Sequence, residues 1–436
     1  MFLPVRFYFS AIVVIVVLAL GQLWSPSFYV GIVLLMLFAA MLVADIVMLW
    51  MRRGITATRE CSTRFSNGDD NPVKLQVENN YPFAVNLKII DEIPHIFQRR
   101  DVNFTLRLQA GGNGEVDYTL RPTKRGVYGF GYIRVFAASP IGLVQRRFTC
   151  DNPTDVAVYP SYLALNKYEL LAISNNLSEM GIKRIRRVGN NTEFEQIKAY
   201  VQDDDYRHIN WKASARAHQL MVNVYTDERS QQIINVIDKG RIMQQAFEGM
   251  TILDYAINAS LVLSYVALHR DDKAGIITFA DEVEDFVKPQ RGPTQINDIL
   301  KCLYSQTTDF AESDYSALVI NVNHWVGRRS LLVLYTNFFD YTSMLRQLPY
   351  LKQLNSRHRL LVVFFIDEER REFINQQPHS IRDYYEHSIA EKIDHEQNLI
   401  INTLRQHGIY SLLTSPQSLS VNVINRYLEM KSRQLF

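Results

Sequence analysis

The sequence predicts a membrane-inserted α-hairpin, then a β-sandwich, then an α/β domain with a doubly wound parallel sheet and helices on both faces. Two long apolar runs open the chain, short alternating segments follow, and from residue 231 apolar strands alternate with amphipathic helices. The hydrophobic pattern differs between these three regions, and each pattern indicates a different architecture. We therefore divide the chain into residues 1–54, 55–160, 161–230 and 231–436, of which 161–230 has no clear period.

The first region predicts two transmembrane helices, at about residues 7–23 and 28–50. Both runs are close to the roughly 20 apolar residues that span a bilayer. The alternative is a cleaved signal peptide, but no small-residue cleavage site ends the first run and a second run follows at once. Only Trp24-Ser25-Pro26-Ser27 separates the runs, so the pair forms a hairpin in the lipid bilayer.

The charges beside the two helices predict their orientation. Arg6 precedes the first helix, the connecting loop has no basic residue, and Arg52, Arg53 and Arg59 follow the second helix. The positive-inside rule then places the N-terminus and the whole body in the cytoplasm. Asp45 lies inside the second run, and an intramembrane carboxylate is a candidate functional residue. Snorkelling to the interface and a helix–helix contact are the alternatives for Asp45.

The composition argues against two classes of function, nucleic-acid binding and a cysteine-based zinc site. The chain has 436 residues with 47 basic and 45 acidic side chains, so its formal net charge is +2. This balance does not favour nucleic acid as a partner. Cys61, Cys150 and Cys302 form no CxxC pair, which argues against a zinc site of the usual spacing. A Cys61–Cys150 disulfide is less expected than reduced thiols in a cytoplasmic body.

Residues 55–160 predict short strands. Period-two alternation runs through residues 73–77, 85–89, 103–109 and 115–120, separated by Gly, Pro and Asn. Strands of this length and spacing are typical of a small antiparallel sandwich. The segment Gly126-Val127-Tyr128-Gly129-Phe130-Gly131 is not a nucleotide-binding loop, because its glycines interleave with aromatic residues and no helix follows. We interpret it as a twisted strand.

Residues 231–436 predict alternating strands and helices. The expected strands are 233–237, 274–279, 331–335, 360–366 and 408–413, and the expected helices are 252–268, 294–304, 344–355, 380–406 and 416–433. In parallel sheets of this kind, ligands bind at the carboxyl ends of the strands. Asp238, Asn337 and Asp367 lie at three of these ends, which makes this edge the candidate binding surface.

Several motifs together resemble a bacterial family, the domain of unknown function numbered fifty-eight. They are Lys124-Arg125-Gly126-Val127-Tyr128, Pro140-Ile141-Gly142-Leu143, and a signature of Glu193-Phe194, Tyr200, Asp204-Asp205, Arg207, Ile209-Asn210-Trp211-Lys212 and Ala215-Arg216. The likeness runs along essentially the whole chain, although the signature usually has Gly where this chain has Asp203. It implies a bacterial inner-membrane protein with a von Willebrand factor A-like domain. It also implies partners, namely MoxR-type AAA+ ATPases and other A-domain membrane proteins.

The A-like resemblance implies a divalent-cation site built from three loops: an Asp-x-Ser-x-Ser loop, a Thr from a second loop and an Asp from a third. Here the first loop reads Asp238-Lys239-Gly240-Arg241-Ile242, and the third reads Thr336-Asn337-Phe338-Phe339-Asp340. Mg²⁺ needs several oxygen ligands, and the side chains of Gly240 and Ile242 supply none. We predict no cofactor and no metal, with Asp238 the only plausible ligand of a degenerate site. The residues expected to bind a protein partner are Asp238, Lys239, Gly240, Arg241, Thr294, Asn337 and Asp340.

The acidic run Asp203-Asp204-Asp205 resembles a metal-binding or general-acid cluster. Three adjacent carboxylates point in different directions and repel one another, which favours a structural role. We expect Asp204 or Asp205 to pair with Arg207 or Arg216 and cap a turn, and Trp211 to pack in the core. The signature residues predicted to be structural are Asp204, Asp205, Arg207, Asn210, Trp211 and Arg216. The basic cluster at 183–187 is a solvated loop or a contact for anionic headgroups.

No nucleophile elbow, phosphate loop or HExxH motif occurs in the sequence, so we predict that the protein is not an enzyme. The leading hypothesis is a membrane-anchored scaffold or adaptor for a MoxR-type AAA+ ATPase at the cell envelope. The alternative is a membrane-associated enzyme that acts on an envelope precursor, centred on Asp204, Asp205 and Arg207. A third possibility is a structural membrane protein that self-associates through its β domain.

Overall fold

The computed structural model describes residues 2–20, 25–50, 54–97, 99, 102–151, 153–163, 192–201, 204, 206–227, 231–338, 340–366 and 368–436. The chain divides into two compact units, Met1–Tyr159 and Pro160–Phe436. Some residues singled out from the sequence lie outside the described residues: the basic cluster at 183–187, Arg52, Arg53, Asp203, Asp205 and Asp367.

Two apolar helices open the first unit, α1 (Val5–Leu20) and α2 (Ser25–Trp50). Within α2, Pro26–Trp50 is long and apolar enough to cross a membrane and is largely exposed. Helix α1 is equally apolar but has only 16 residues. Helix Ile252–His269 of the second unit also has the length and hydropathy of a span, but it is mostly buried and serves as a core helix.

Asp45 ties helix α2 to the strands of the first unit. Its side chain is 0% exposed, and its Oδ2 accepts hydrogen bonds from the backbone N–H groups of Leu143 and Val144, both at 2.8 Å. One turn later, the carbonyl of Leu49 accepts from the Tyr81 hydroxyl at 2.6 Å. Both expectations for Asp45, snorkelling and a helix–helix contact, are therefore wrong. The last turns of α2 run into the strand layer, where two backbone amides donate to Oδ2, whereas Oδ1 is buried without a hydrogen-bond partner among the described residues.

The described part of the first unit contains ten strands around one apolar core. Their sheet orders are β1-β3-β6, β2-β10-β7 and β5-β4-β8-β9. All pairs are antiparallel except β2 with β10, so the predicted antiparallel sandwich needs one correction. The strands are β1 (Ile55–Cys61), β2 (Arg64–Ser66), β3 (Asn71–Asn79), β4 (Val85–Asp91), β5 (Asn103–Leu108), β6 (Asn113–Leu120), β7 (Gly126–Phe130), β8 (Ile133–Ala138), β9 (Gln145–Cys150) and β10 (Thr154–Tyr159).

Period-two alternation explains these strands. The residues of β3 alternate between buried and exposed along nearly the whole strand, and β4 repeats the pattern. Alternate side chains of a strand point to opposite faces, so one face of each sheet turns to the core. Gly126–Phe130 is strand β7, paired with β10, in agreement with its interpretation as a strand rather than a nucleotide loop.

In the described part of the second unit, a hairpin that carries a short helix precedes the main sheet. Strands β11 (Thr192–Ala199) and β12 (Met221–Asp227) pair antiparallel, and helix α3 (Trp211–Ala217) lies between them in sequence. This hairpin holds the signature residues.

The remaining strands build a six-stranded sheet of order β17-β16-β13-β18-β19-β20. Five of the six strands are parallel, and β17 at the edge runs antiparallel to β16. The sheet is therefore mixed rather than all-parallel as predicted. The strands are β13 (Gln232–Asp238), β14 (Ala246–Phe247), β15 (Met250–Thr251), β16 (Lys273–Phe279), β17 (Val283–Gln290), β18 (Leu331–Tyr335), β19 (Arg359–Phe365) and β20 (Tyr410–Thr414), of which β14 and β15 form a separate small hairpin.

Helices cover both faces of this sheet. One core contains Ile233 and Ile237 of β13 with α4, α5 and α10, and the other contains Ile234 and Val236 with α6, α7 and α9. Strands buried on both faces read as continuous apolar runs, which is why the sequence revealed them. The helices are α4 (Ile252–His269), α5 (Gln295–Tyr304), α6 (Tyr315–Trp325), α7 (Tyr341–Arg357), α8 (Glu368–Asn375), α9 (Ile381–Gln406) and α10 (Leu419–Ser432).

Candidate functional site

Asp238 is the centre of a closed hydrogen-bond network at the carboxyl end of β13. Its side chain is buried, and both carboxylate oxygens are acceptors. Oδ1 accepts from the backbone N–H of Gly240 at 2.8 Å and from the Ser313 hydroxyl. Oδ2 accepts from the Thr336 hydroxyl at 2.7 Å and from the Tyr315 hydroxyl at 3.2 Å. Four donors thus replace the water that burial removes from this carboxylate.

The sheet topology brings these donors together. Thr336 directly follows β18, the strand beside β13. Ser313 and Tyr315 flank Asp314, which caps helix α6 by accepting from the backbone N–H of Ser316 at 2.7 Å. The backbone N–H of Asp314 donates to the carbonyl of Ala280, just after β16. Three strand ends therefore converge on one carboxylate.

The ionisation of the network follows from its burial. Burial raises the pKa of Asp238, and the hydrogen bonds from Ser313 and Thr336 oppose that rise. Burial and the neighbouring Asp238 carboxylate raise the pKa of Tyr315 well above its ordinary range, so the phenol stays protonated and remains a donor. Tyr315 Oη also lies 2.8 Å from Thr336 Oγ1. The network stabilises three loops and contains no group poised for nucleophilic attack.

Gly240 allows the loops to pack this closely. A Cβ at position 240 would lie 1.9 Å from Ser313 Oγ, 3.0 Å from Asp238 Oδ1 and 3.1 Å from the carbonyl oxygen of Ala311. A side chain there would push the loop before α6 away from the strand end. Gly240 is thus a packing residue.

The residues present do not fit the divalent cation that the A-like resemblance implies. Protein donors engage both oxygens of Asp238. The Asn337 side chain accepts from the N–H of Phe338 at 3.1 Å, and Asp340 caps α7 by accepting from Ser343 at 2.9 Å, which lowers the pKa of Asp340. Within the described ranges, no group of three or more His, Cys, Asp or Glu side chains could hold a metal.

Lys239 is a structural residue. Its side chain is fully buried, its ammonium pairs with Glu284 and donates to the carbonyl of Thr307 at 3.0 Å. The Thr308 hydroxyl donates to the carbonyl of Lys239 at 2.7 Å. These contacts hold the loop before α6 against β13. Because it is turned into the protein, the side chain of Lys239 presents no exposed surface to a partner.

Thr294 lies near the amino-terminal ends of the strands, whereas Asp238 lies at their carboxyl ends. It precedes Gln295, whose side chain donates to the carbonyl of Ala274 at 2.8 Å. Ala274 is near the start of β16, whereas Asp238 pairs with Phe279 at the end of that strand. Thr294 therefore does not lie beside Asp238. The Ser313 hydroxyl donates to Asp238 instead, and the hydroxyl- and acid-rich stretch at 305–314 was the available sequence signal for this contact.

A cleft of about 390 Å³ opens beside Asp238. Arg241 and Arg346 are exposed on its wall, and in the described residues neither guanidinium is part of a salt bridge. A second cleft of about 210 Å³ shares Ile242 and Phe338 with the first and includes Asn337. The first cleft is lined by Asp238, Arg241, Ile242, Phe310, Glu312, Ser313, Tyr315, Phe338, Ser343, Arg346 and Gln347.

The signature residues form a local structure on the β11–β12 hairpin. The Asn210 side chain caps α3 by accepting from the N–H of Ala213 at 3.0 Å and donates to Asn223 at 2.9 Å. Asp204 accepts from the N–H of Val201 and pairs with Lys198 at 2.8 Å, which lowers the pKa of Asp204. Asp204 thus caps a turn.

The expectation for Trp211 is wrong, and Asp204 has another partner than expected, while the alternative pairing of Asp205 lies outside the described residues. Asp204 pairs with Lys198 rather than with Arg207 or Arg216, because Lys198 lies on the adjacent strand β11. The Arg207 guanidinium lies over the Tyr206 ring at 5.8 Å, and Arg216 is exposed in the last turn of α3. Trp211 is 71% exposed rather than packed in the core. It starts a short helix whose other face meets β12.

Residues 196–399 match a family described as "Protein of unknown function DUF58". The match begins in β11 and ends in α9, so it covers Asp204, Arg207, the Asp238 network and the cleft. The DUF58 match agrees with the resemblance carried by the signature motif. It names no activity and no partner.

Other known proteins are distantly similar. "Uncharacterized protein YeaD" of Bacillus subtilis (strain 168) is 23% identical over 280 residues, which are 62% of this chain and 67% of that protein. The solved structure of conserved hypothetical protein BatB from Bacteroides thetaiotaomicron has 10% identity, covers 47% of this chain and 99% of its own, and gives a TM-score of 0.31. The CARDB domain of PF1109 from Pyrococcus furiosus has 14% identity, covers 24% of this chain and 86% of its own, and gives a TM-score of 0.18. Similarity at this level carries no argument about fold or function.

Proposed function

We propose that the chain is a membrane-anchored scaffold or adaptor, not an enzyme, whose second unit binds a protein partner at the carboxyl edge of the six-stranded sheet. The proposed partner is a MoxR-type AAA+ ATPase, with other A-domain membrane proteins as further candidates. The observation that carries the proposal is the cleft beside Asp238. It places two exposed arginines and apolar side chains over a floor that is internally satisfied.

The proposed location is the bacterial inner membrane, with the N-terminus and the body in the cytoplasm. The arrangement within the first unit supports it. Phe2 pairs with Gln145 of β9 before α1 begins, and Leu49 at the end of α2 accepts from Tyr81 and Arg146. Both outer ends of the helical pair therefore meet the same strand layer. Between Ser25 and Asp45, a helix covers about 30 Å at 1.5 Å per residue, the thickness of a hydrocarbon core.

The enzyme hypothesis centred on Asp204, Asp205 and Arg207 has less support. Lys198 and a backbone N–H hold Asp204 in its charged form, so it is poorly suited to donate a proton. Arg207 lies over Tyr206, and Asp205 lies outside the described residues. Among the described residues, the signature offers caps and pairs that stabilise a hairpin, which is a structural role.

A site-specific cross-linking experiment tests the proposal. A photoreactive amino acid replaces Gln347 of the full-length chain, because Gln347 lines the cleft. The matched control is Gln353, exposed on the same helix α7 but nearer its carboxyl end. After irradiation of native membranes, mass spectrometry identifies the adducts.

The proposal expects a protein adduct from position 347 and none from position 353. An AAA+ ATPase in that adduct would support the proposed partner. A different protein in the adduct would support the adaptor role but contradict the ATPase as its partner. No adduct from position 347, or equal adducts from both positions, would contradict binding at this edge.

A further inference from the structure

Arg241 and Arg346 present two cationic groups to one concave surface. Arg241 belongs to the loop after β13, and Arg346 lies on α7 with Ser343 and Gln347, at helical spacings that put the three side chains on one face. Both arginines are exposed. Within the described ranges neither forms a salt bridge, although the charge of Arg346 contributes to the lowered pKa of Asp340. Two guanidinium groups on one wall create a positive potential that favours an anionic ligand.

Four backbone donors of this edge are already engaged. Gly240 N–H donates to Asp238, and Arg241 N–H donates to the carbonyl of Ala311 at 3.0 Å. Phe310 N–H donates to the Thr308 hydroxyl at 3.0 Å, and Phe338 N–H donates to its neighbour Asn337. Phosphate sites at the ends of α/β strands depend on free backbone N–H groups. Among the described lining residues, the two arginines are the cationic side chains that can donate to a ligand.

The acids in the cleft favour a ligand with a single negative charge. Asp238 forms part of the floor and Glu312 part of the wall. Both would repel a doubly charged phosphate more strongly than a carboxylate. The planar fork of a guanidinium also matches the two oxygens of a carboxylate.

The walls of the cleft suit a peptide. Ile242, Phe310 and Phe338 supply apolar surface next to the arginines. Phe310 has φ of 53°, a left-handed conformation that is costly for a bulky side chain. The Thr308 hydroxyl, anchored on the carbonyl of Lys239, accepts from Phe310 N–H and maintains this conformation. The strained backbone of Phe310 thus places its aromatic ring at the cleft.

We propose that the cleft binds an acidic segment of a partner protein directly, with Arg241 and Arg346 pairing a Glu or Asp carboxylate, and without a metal ion. The inference rests on the proposed adaptor function and names the chemistry of the partner. The internally satisfied Asp238 network supports its metal-free character, because no carboxylate oxygen is left to coordinate a cation. The apolar wall would cover residues beside the acidic one.

The test uses the full-length chain in detergent and a fluorescent peptide of alternating Glu and Gly. The matched probe replaces every Glu by Gln. Fluorescence anisotropy should show that the Glu peptide binds at least about tenfold more tightly, the effect of one good charge-assisted pair. EDTA should leave the affinity unchanged. The double variant Arg241→Gln/Arg346→Gln should lose this preference, whereas Arg357→Gln, an exposed change near the end of α7, should retain it.

Equal binding of both peptides, no binding of either, or loss of binding in EDTA would overturn the proposal. Its failure can be separated from failure of the adaptor function. If position 347 yields a protein adduct but the Glu peptide does not bind, the adaptor function is supported and the acidic-ligand proposal is wrong. If the Glu peptide binds in the expected way but no protein is cross-linked, the site for an acidic ligand is supported and the adaptor function is wrong.

Discussion

The hydroxyl of Thr336 donates to Oδ2 of Asp238 at 2.7 Å, although the two residues are 98 positions apart in the sequence. The bond joins the ends of two neighbouring strands, β13 and β18. It also orders the binding edge, because Asp238 accepts in addition from Ser313 and Tyr315 of the loop and helix that border the cleft. The stability of the network and the shape of the cleft are therefore linked.

Thr336→Val should destabilise the second unit by about 1–3 kcal/mol, because a buried carboxylate loses one donor while the side-chain volume stays the same. Urea unfolding of the detergent-solubilised chain measures the effect. Thr342→Val, an exposed change in the first turn of α7, is the control and should be nearly neutral. Equal stability of Thr336→Val and wild type would show that this hydrogen bond does not support the network.

Gly240→Ser should not create a magnesium site, although it restores one hydroxyl of the Asp-x-Ser-x-Ser pattern. The new Cβ would lie 1.9 Å from Ser313 Oγ, so the loop must shift, at a cost of about 1–3 kcal/mol. Thermal unfolding with excess Mg²⁺ and with EDTA should give the same Tm for the variant, below that of wild type. A Tm that rises with Mg²⁺ would contradict the conclusion that these residues do not fit a divalent cation.

Asp45→Leu should destabilise the first unit by about 1–3 kcal/mol, because the buried N–H groups of Leu143 and Val144 lose their acceptor. Asp45→Asn keeps an acceptor oxygen and should be less damaging. Limited proteolysis of the first unit in native membranes reports the change. Val43→Ala on the exposed face of α2 is the control. If Asp45→Leu is cleaved no faster than this control, the carboxylate does not hold α2 to the strands.

Asn210→Ala should cost about 1 kcal/mol, since α3 loses its N-terminal cap. Trp211→Ala, one position later, should change stability by less than about 0.5 kcal/mol because the ring is 71% exposed. Chemical unfolding of the two variants side by side makes the comparison. A larger loss for Trp211→Ala would indicate that the ring is covered by another part of the chain or by a partner.

The second unit should lose stability as the pH falls below about 6.5. Burial, and next the charge of Arg357, lower the pKa of His358 from its ordinary value of 6.5. The unfolded chain therefore binds a proton at a higher pH than the folded chain, and acid favours unfolding. His358→Phe should reduce this dependence in unfolding experiments at neutral and mildly acidic pH. His379→Asn, at an exposed position, should leave it unchanged.

Strong local periods in the sequence predicted most elements of the sheet. Leu331–Tyr335 and Arg359–Phe365 are apolar throughout, because they are buried on both faces. Strand β17 escaped prediction because it lies at the sheet edge, is mostly half-exposed and contains Pro289. Helix α6 escaped it because its apolar pattern is interrupted by Asn321 and Asn323.

The sequence by itself determined that the chain starts with apolar helices, that strands follow, and that Asp238 ends a buried strand. These features depend on neighbours along the chain. Only the tertiary structure decided that Ser313 rather than Thr294 reaches Asp238, that Lys239 is buried, and that Arg346 faces the same cleft as Arg241. Such contacts depend on which strand ends lie side by side, and local hydrophobic periodicity carries no information about that order.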